Sequence, residues 1–392
     1  MRKGWEYKKL GEVLETTSGG TPSKSHKEYY EGGTIPWLRS GEVSKGDIYD
    51  AELYITEEGL KKSSAKLFPI DTVLIAMYGA TVGQVGILKS TMCTNQAICG
   101  ILPNKDFHPN FLKYVLLANK KNYLKQAMGG AQPNISQQVI KSTYIPIVKF
   151  SEQESVVSEL DKINELIRLK KEQLKDFDNL AQSLFYEMFG DPVENEKGWE
   201  VKKLGDCFSY IKNGANIKQT KDVDGFPITR IETLAGGIFN RDRMGYAGIY
   251  DLSKYSAYVL ESRDLLMSHI NSKTYIGRTV EYKRNNDETI IHGMNLLRLK
   301  AIHDIIDSTF FVYYTKSGDF KSKIARIRKD AVNQSSFAIS DLKRLNIPLP
   351  PLSLQRLFAQ RIEQIEREKS EVQKSIQDLE TLLASRMQYW FE

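Results

Sequence analysis

The sequence predicts an α+β fold made of two copies of one plan, each a β-rich globular stretch running into a single long amphipathic helix. Three observations carry that expectation. The segments GWEYKKLGE (residues 4–12) and GWEVKKLGD (residues 198–206) agree at seven of nine positions. Near the end of each copy, ISQQVIKSTYIPI, closing at Ile147, is answered by AISDLKRLNIPL, closing at Leu349. After each of these an apolar 4-3 rhythm begins, and the two rhythms are in phase at an offset of 202 residues.

A length of 392 residues allows two to four domains, each able to bury its own core. The expected organisation is a globular part at 1–150, a helix at 151–190, a second globular part at 191–352 and a second helix at 353–392. Strand-like alternation occurs at Thr72–Met77 and from Ile98, with turn glycines expected at Gly79, Gly83 and Gly86. The second copy answers with strands at Asp264–Ile270 and Met294–Lys300 and a glycine at Gly277. Short helices are expected around Leu112–Leu117 and Phe310–Tyr314, whose FLKYVLL and FFVYYTK patterns match at an offset of 199.

The heptad seam of the first helix runs through Val156, Leu160, Ile163, Ile167, Leu174 and Phe177. That of the second runs through Phe358, Ile362, Ile365, Val372, Ile376 and Leu379. Lys170 and Lys369 interrupt the seams, a usual device for fixing register. Ser151, followed by acids, is the expected cap of the first helix, and Gly190 its stop. At ~1.5 Å per residue such helices reach about 55 Å, too long to hide a seam in one small domain. The two helices are therefore expected to pack on each other.

Several function classes find no support. No run of 18 apolar residues and no secretory leader pattern occurs, so the chain is expected to be cytoplasmic and not membrane-bound. Cys93 and Cys99, with five residues between them, read as small buried thiols in a chain with three cysteines. The five histidines stand singly, without ligand spacing, and no metal site is expected. GATVGQVG from Gly79 fits neither phosphate-binding glycine pattern. No amino-methyltransferase motif and no nucleophile elbow is present, and no catalytic residue is assigned.

Charge distribution points toward a polynucleotide. The net charge is +6, yet residues 151–189 hold 5 basic against 9 acidic residues and residues 353–392 hold 6 against 7, leaving +11 on everything else. Basic residues thus collect away from the helices. KSKIARIRK (Lys321, Lys323, Arg326, Arg328, Lys329) is a basic tract able to track phosphates, or a solvated helix face. Amide-bearing segments recur at matching places, with Gln132 and Asn134 in GGAQPNIS and Asn333 and Gln334 in AVNQSSFAIS. Asn and Gln suit bidentate reading of adenine, and Arg that of guanine, though the same residues also make ordinary turns. Arg39 with Ser40 in the first copy corresponds to Arg230 in the second. Tyr78, Thr81 and Gln84 likewise correspond to Asn271, Lys273, Tyr275 and Arg278. Lys24 completes the candidate DNA contacts. Equivalent positions with different residues imply one docking mode and two sequences read.

Taken in order, the WExKKLGE/D openings, IPWLRSGE, YGATVGQVGIL, CTNQAI, GGAQPNIS, IPI, IPLPP and SLFYEMFG resemble the specificity subunits of type I restriction-modification systems, over nearly the whole chain. The resemblance implies two target recognition domains, each reading one part of a split site in double-stranded DNA, held apart by two antiparallel helices. It implies as partners two methyltransferase subunits that carry S-adenosylmethionine and methylate adenine. It also implies restriction subunits that use ATP and magnesium. The chain itself would hold no cofactor and catalyse nothing. Two other readings stay open: a specificity subunit serving a fused methyltransferase-nuclease, and a coiled-coil scaffold that binds DNA without sequence preference.

Overall fold

The computed structural model describes residues 2, 4–127, 133–219, 224–332 and 334–392. The chain divides into two compact units, Met1–Lys171 with Lys374–Glu392, and Glu172–Gln373. Each unit is thus assembled from one globular part and a portion of each long helix, Phe150–Phe189 and Leu352–Phe391.

In the first unit a five-stranded sheet places Ile98–Ile101 and Val73–Ala76 at its centre, flanked by Thr16–Ser18 on one side and by Val85–Leu88 and Asp47–Ile48 on the other. Strand alternation divides its apolar residues between two cores. Val73, Ile75, Ile87, Cys99 and Ile101 pack with Phe111, Leu112 and Val115 of the helix Pro109–Ala118. Leu74, Ala76, Leu88 and Ile98 pack with Leu38, Phe68 and Met92 from a four-stranded sheet. Gly79 and Gly83 have φ of +72° and +75°, as turn glycines require. Gly86, expected in a turn, instead lies inside Val85–Leu88, where an added Cβ would meet the Val43 carbonyl oxygen at 2.8 Å.

The second unit is built around the antiparallel order Phe208–Asn213, Leu296–Ala301, Leu265–Ser268 and Thr279–Glu281. Leu265, Met267, Leu297 and Leu299 face the helix Ser308–Tyr314, while Leu266, Val280 and Leu296 face Leu234, Leu260 and Tyr282. Arg298 is buried with its guanidinium 2.6 Å from Asp264.

The duplicated ends pair within each unit. Glu6–Lys9 runs antiparallel to Tyr144–Ile147, with Tyr7 opposite Pro146. Glu200–Lys203 runs antiparallel to Asn346–Leu349 in the same register, with Val201 opposite Pro348. The first turns of the long helices are tied down identically. The buried amide of Gln153 accepts from the His108 N–H at 2.8 Å and donates to the Asp106 and Val148 carbonyls. That of Gln355 accepts from the Asp307 N–H at 2.9 Å and donates to the Ile305 and Pro350 carbonyls. His108 and Asp307 are the caps of Pro109–Ala118 and Ser308–Tyr314, so each glutamine fastens a long helix to a globular helix. The first long helix starts at Phe150, with Glu152 and Gln153 donating to the Lys149 carbonyl, so Ser151 lies within the first turn instead of capping it.

The helices run antiparallel in both units. In the first, Val156, Leu160, Ile163 and Ile167 are buried, as is Ile376, with Leu379 half-buried. Lys171 pairs with Glu380, while Arg386 and Trp390 both donate to Glu159, so ascending numbers on one helix meet descending numbers on the other. The Arg386 guanidinium holds the Glu159 carboxyl below its usual range. In the second unit Phe358, Ile362, Ile365 and Val372 are buried, and Leu174 and Phe177 half-buried. Lys369 pairs with Asp178 at 2.7 Å, and Arg361 donates to the sulfur of Met188. One aromatic contact recurs: Phe391 meets Phe111 at 5.7 Å between ring centres, and Phe189 meets Phe310 at 4.9 Å. Each helix thus ends in the unit whose globular part belongs to the other copy.

Burial in the second unit pushes His269 down to about 4 and His292 down to about 3. An unfolded imidazole takes its proton near pH 6.5, so between those values the unfolded chain binds more protons and folding weakens. Denaturant melts at pH 7, 5.5 and 4.5 are expected to show stability falling by up to ~1.4 kcal/mol per pH unit for each imidazole, and His269→Gln with His292→Gln to flatten the slope. Gln355→Leu strands a buried N–H and the carbonyls it served, and is expected to destabilise the chain by about 2–3 kcal/mol in chemical denaturation. Gln364→Ala, on the exposed side of the same helix, should stay within ~0.5 kcal/mol.

Candidate nucleic-acid interface

In each unit most of the candidate residues lie on a hairpin loop between two paired strands of the main sheet and on a second segment laid beside it. The first unit's loop joins Val73–Ala76 to Val85–Leu88 and carries Tyr78, Thr81 and Gln84. Tyr78 is exposed and bridges Asn134, and the Gly79 N–H donates to the Pro133 carbonyl at 2.9 Å. The Thr81 hydroxyl closes the loop on the Tyr78 carbonyl. The short helix Ser40–Lys45, headed by Arg39, packs against Gly79–Thr81. Arg39, Ser40, Tyr78, Thr81 and Asn134 therefore share one surface. Lys24 is exposed on a different loop, whose Gly20 carbonyl accepts from the Trp37 indole.

Arg39 is an ion-paired residue. Its guanidinium is 2.5 Å from Glu52 and 3.9 Å from the buried Glu42, and Lys45 reaches both acids. The Arg39 and Lys45 hydrogen bonds hold the Glu52 carboxyl below its usual range. Arg230 has the matching position: it precedes Ile231–Gly237, its N–H donates to Thr233 as that of Arg39 donates to Glu42, and its guanidinium lies 3.4 Å from Glu232.

The second unit's loop joins Leu265–Ser268 to Thr279–Glu281 and carries Asn271, Lys273, Tyr275 and Arg278. Arg278 stacks over the Tyr275 ring at 4.4 Å and donates to the Leu234 carbonyl. Ile270–Asn271 pairs with Ser335–Ser336, which pairs in turn with Lys329–Asp330. Ile270 opposite Ser336 is the counterpart, 202 residues on at the second partner, of Tyr78 opposite Asn134. Asn271, Lys273, Arg328, Lys329 and the exposed Gln334 meet here. Gln132 and Asn333 lie outside the described residues.

KSKIARIRK is not one continuous face. Lys321, Lys323 and Arg326 belong to the helix Gly318–Ile327, after which the chain turns into the strand bearing Lys329. Lys323 is drawn inward, 2.6 Å from Asp319 and within reach of the Tyr314 hydroxyl. Arg328 and Lys273 both pair with Asp330, whose carboxyl is held low by the Ser335 hydroxyl and then by Lys273. Among the described residues Lys321, Arg326 and Lys329 make no ion pair. The acids Glu52 and Asp330 escaped the sequence reading. Glu52 is 13 residues from Arg39 in no periodic relation, whereas Asp330 directly follows the basic tract and was legible there.

Cys93, Cys99 and Cys207 are buried, and burial raises all three thiols, Cys99 to about 12. Among the described residues no group of three or more His, Cys, Asp or Glu is placed to hold a metal ion, and no helix is long and apolar enough to cross a membrane.

Comparison with known proteins agrees with the duplicated architecture. The family model "Type I restriction modification DNA specificity domain" matches residues 2–176 and again residues 196–381. Among curated proteins, the MjaIX specificity subunit of a type I restriction enzyme from Methanocaldococcus jannaschii is 26% identical, covering 91% of this chain and 85% of its own. The StySPI specificity subunit from Salmonella potsdam is 24% identical over 99% of this chain and 88% of its own. In fold, the chain is similar to the S subunit of a type I system from M. genitalium, at a TM-score of 0.53 and 15% identity, covering 99% of this chain and 96% of that one. A chain from a structural study of type I complex assembly gives a TM-score of 0.64 at 20% identity, covering 100% and 98%. With one match to each copy, together spanning most of its length, the chain belongs to the type I restriction-modification DNA specificity family, as a specificity subunit, the component that gives such a system its DNA sequence.

Proposed function

We propose that each unit reads one half of a bipartite target in double-stranded DNA, with the hairpin loop and its neighbouring segment as the reading edge. The observation that carries this is the equivalence of the two edges. Tyr78, Thr81, Gln84 and Asn134 occupy one frame, Asn271, Lys273, Tyr275, Arg278 and Gln334 the same frame in the other unit, and the side chains differ. A major groove about 12 Å wide admits a two-stranded ribbon, and all four base pairs are distinguishable there. Lys24, Lys321, Arg326 and Lys329 would hold phosphates, while Arg39 and Arg230, oriented by their acids, would face base edges.

The long helices would set the spacing between the half-sites, since an element of fixed rise converts residues into base pairs. Their acidic faces, with Glu152, Glu154 and Glu165, would dock two methyltransferase subunits, whereas Glu159, expected on the same face, is taken up by Arg386 and Trp390 of the other helix. Those subunits would carry S-adenosylmethionine and swing the target adenine out of the stack while this chain holds the duplex. Restriction subunits using ATP and magnesium would complete the assembly in the cytoplasm. This chain's part in the reaction is binding and orientation only.

Two measurements test this. Arg39→Ala is expected to relax discrimination at one half-site and Arg230→Ala at the other, by ~1–3 kcal/mol, in competition binding of the assembled methyltransferase; an equal loss on random DNA defeats the assignment. Inserting one heptad into both helices lengthens them by ~10 Å, about three base pairs, and single-molecule mapping of methylated adenines should show the same half-sites further apart. An unchanged spacing removes the ruler.

A further inference from the structure

The hairpin formed by Lys329–Asp330 and Ser335–Ser336 is closed by Ala331 and Gln334, whose N–H and carbonyl groups bond mutually at 2.8 and 3.4 Å. At its tip stands Val332, 99% exposed, more than any other large apolar side chain among the described residues. A valine there contributes nothing to the core, and a β-branched apolar residue is not among those that hairpin turns favour. Its surroundings are polar and cationic: Lys329 on the adjoining strand makes no ion pair among the described residues, Lys273 and Arg328 flank Asp330, and Gln334 is exposed beside it. Val332 is thus an apolar group presented at the end of a narrow, basic, two-stranded ribbon.

Among groups displayed in the major groove, the thymine C5-methyl is the apolar one, and it is read by apolar contact. We propose that Val332 is a specificity-determining residue that packs against the C5-methyl of a thymine in the half-site read by the second unit. The proposal rests on the bipartite reading above and names one contact within it. Two other candidates for the tip fit less well. A phosphate contact is left to Lys329, Lys321 and Arg326, since valine has no donor. A docking contact with another protein would ask for a large apolar patch, whereas beside Val332 the exposed residues of the hairpin, among those described, are the small Ala331 and the polar Lys329, Asp330 and Gln334.

The test uses the full chain assembled with its methyltransferase subunits and a duplex carrying the mapped target. Each thymine of the second half-site is replaced in turn by deoxyuridine, which keeps pairing and removes only the methyl. Wild type is expected to lose about fourfold in affinity at one thymine, the worth of one buried methyl. Val332→Ala is expected to lose a similar factor on the normal target and to become indifferent to that replacement, while remaining sensitive to base changes in the first half-site. Val332→Thr, which keeps one methyl, should retain part of the response. The proposal is overturned if Val332→Ala binds as wild type does, if its response to deoxyuridine is unchanged, or if the half-site holds no thymine whose methyl matters. Failure of the bipartite reading is distinguishable: wild type would then not separate target from random duplex at all.

Discussion

A 40-residue amphipathic helix with an apolar seam along its length cannot bury that seam against a domain of about 150 residues, and the rest of this structure follows from that constraint. Each helix divides its seam between the two units, and in each unit it meets the other helix running the opposite way. The partition makes each unit discontinuous in sequence. The first unit is incomplete without Lys374–Glu392, where Arg386 and Trp390 close on Glu159, Trp390 stacks on Trp5, and Arg2 lies 4.1 Å over the Trp390 ring. Its contacts therefore span almost the full chain, which places a large loop-closure entropy ahead of its final packing.

Within that constraint, what is shared by the two copies and what differs fall in physically distinct places. The shared elements hold the globular parts to the helices: the paired strands at the openings, the glutamine in each first turn, the aromatic contact at each helix end. A change in any of them exposes a buried polar group or opens a cavity. The differing residues sit on the loops after Val73–Ala76 and Leu265–Ser268, where Tyr78 and Tyr275 point to solvent and Gln334 ends a hairpin. Exchange there leaves the core untouched, so a frame of this kind accepts new reading edges at little cost in stability.

The same distinction explains how much was legible in advance. The duplication, both long helices and their seams follow from periodicity, which a linear sequence displays directly. The strands around Thr72–Met77 and Asp264–Ile270 were visible as apolar alternation, as were the turns at Gly79 and Gly83. Relations set only by folding were hidden. The roles of Gln153 and Gln355 are not visible in the sequence, because nothing local shows that His108 and Asp307 will present N–H groups to them. Arg298 and Asp264, 34 positions apart, meet only once Leu265–Ser268 pairs with Leu296–Ala301. Lys323 looked like a phosphate contact until the turn beginning at Ser317 set Asp319 beneath it. Gly86 looked like a turn because the close approach of the Val43 carbonyl has no sequence signature.

The acids beside the candidate reading residues sharpen the chemistry expected at the edge. An arginine meant to hold a phosphate gains nothing from a neighbouring carboxylate, which repels the backbone it would bind. On the proposed reading, Arg39 with Glu42 and Glu52, and Arg230 with Glu232, would serve bases rather than phosphates, since direction matters more than charge at a base edge. The Arg39–Glu52 and Arg230–Glu232 pairs are exposed, and exposed ion pairs are worth at most about 1 kcal/mol, so exchanging one for the proposed bidentate contact with guanine would cost little. Until that exchange the carboxylates fix the guanidinium rotamers, reducing the side-chain entropy lost on binding. They would also face a wrong phosphate with like charge, so on the proposed reading the same acids would favour the correct register and penalise a shifted one.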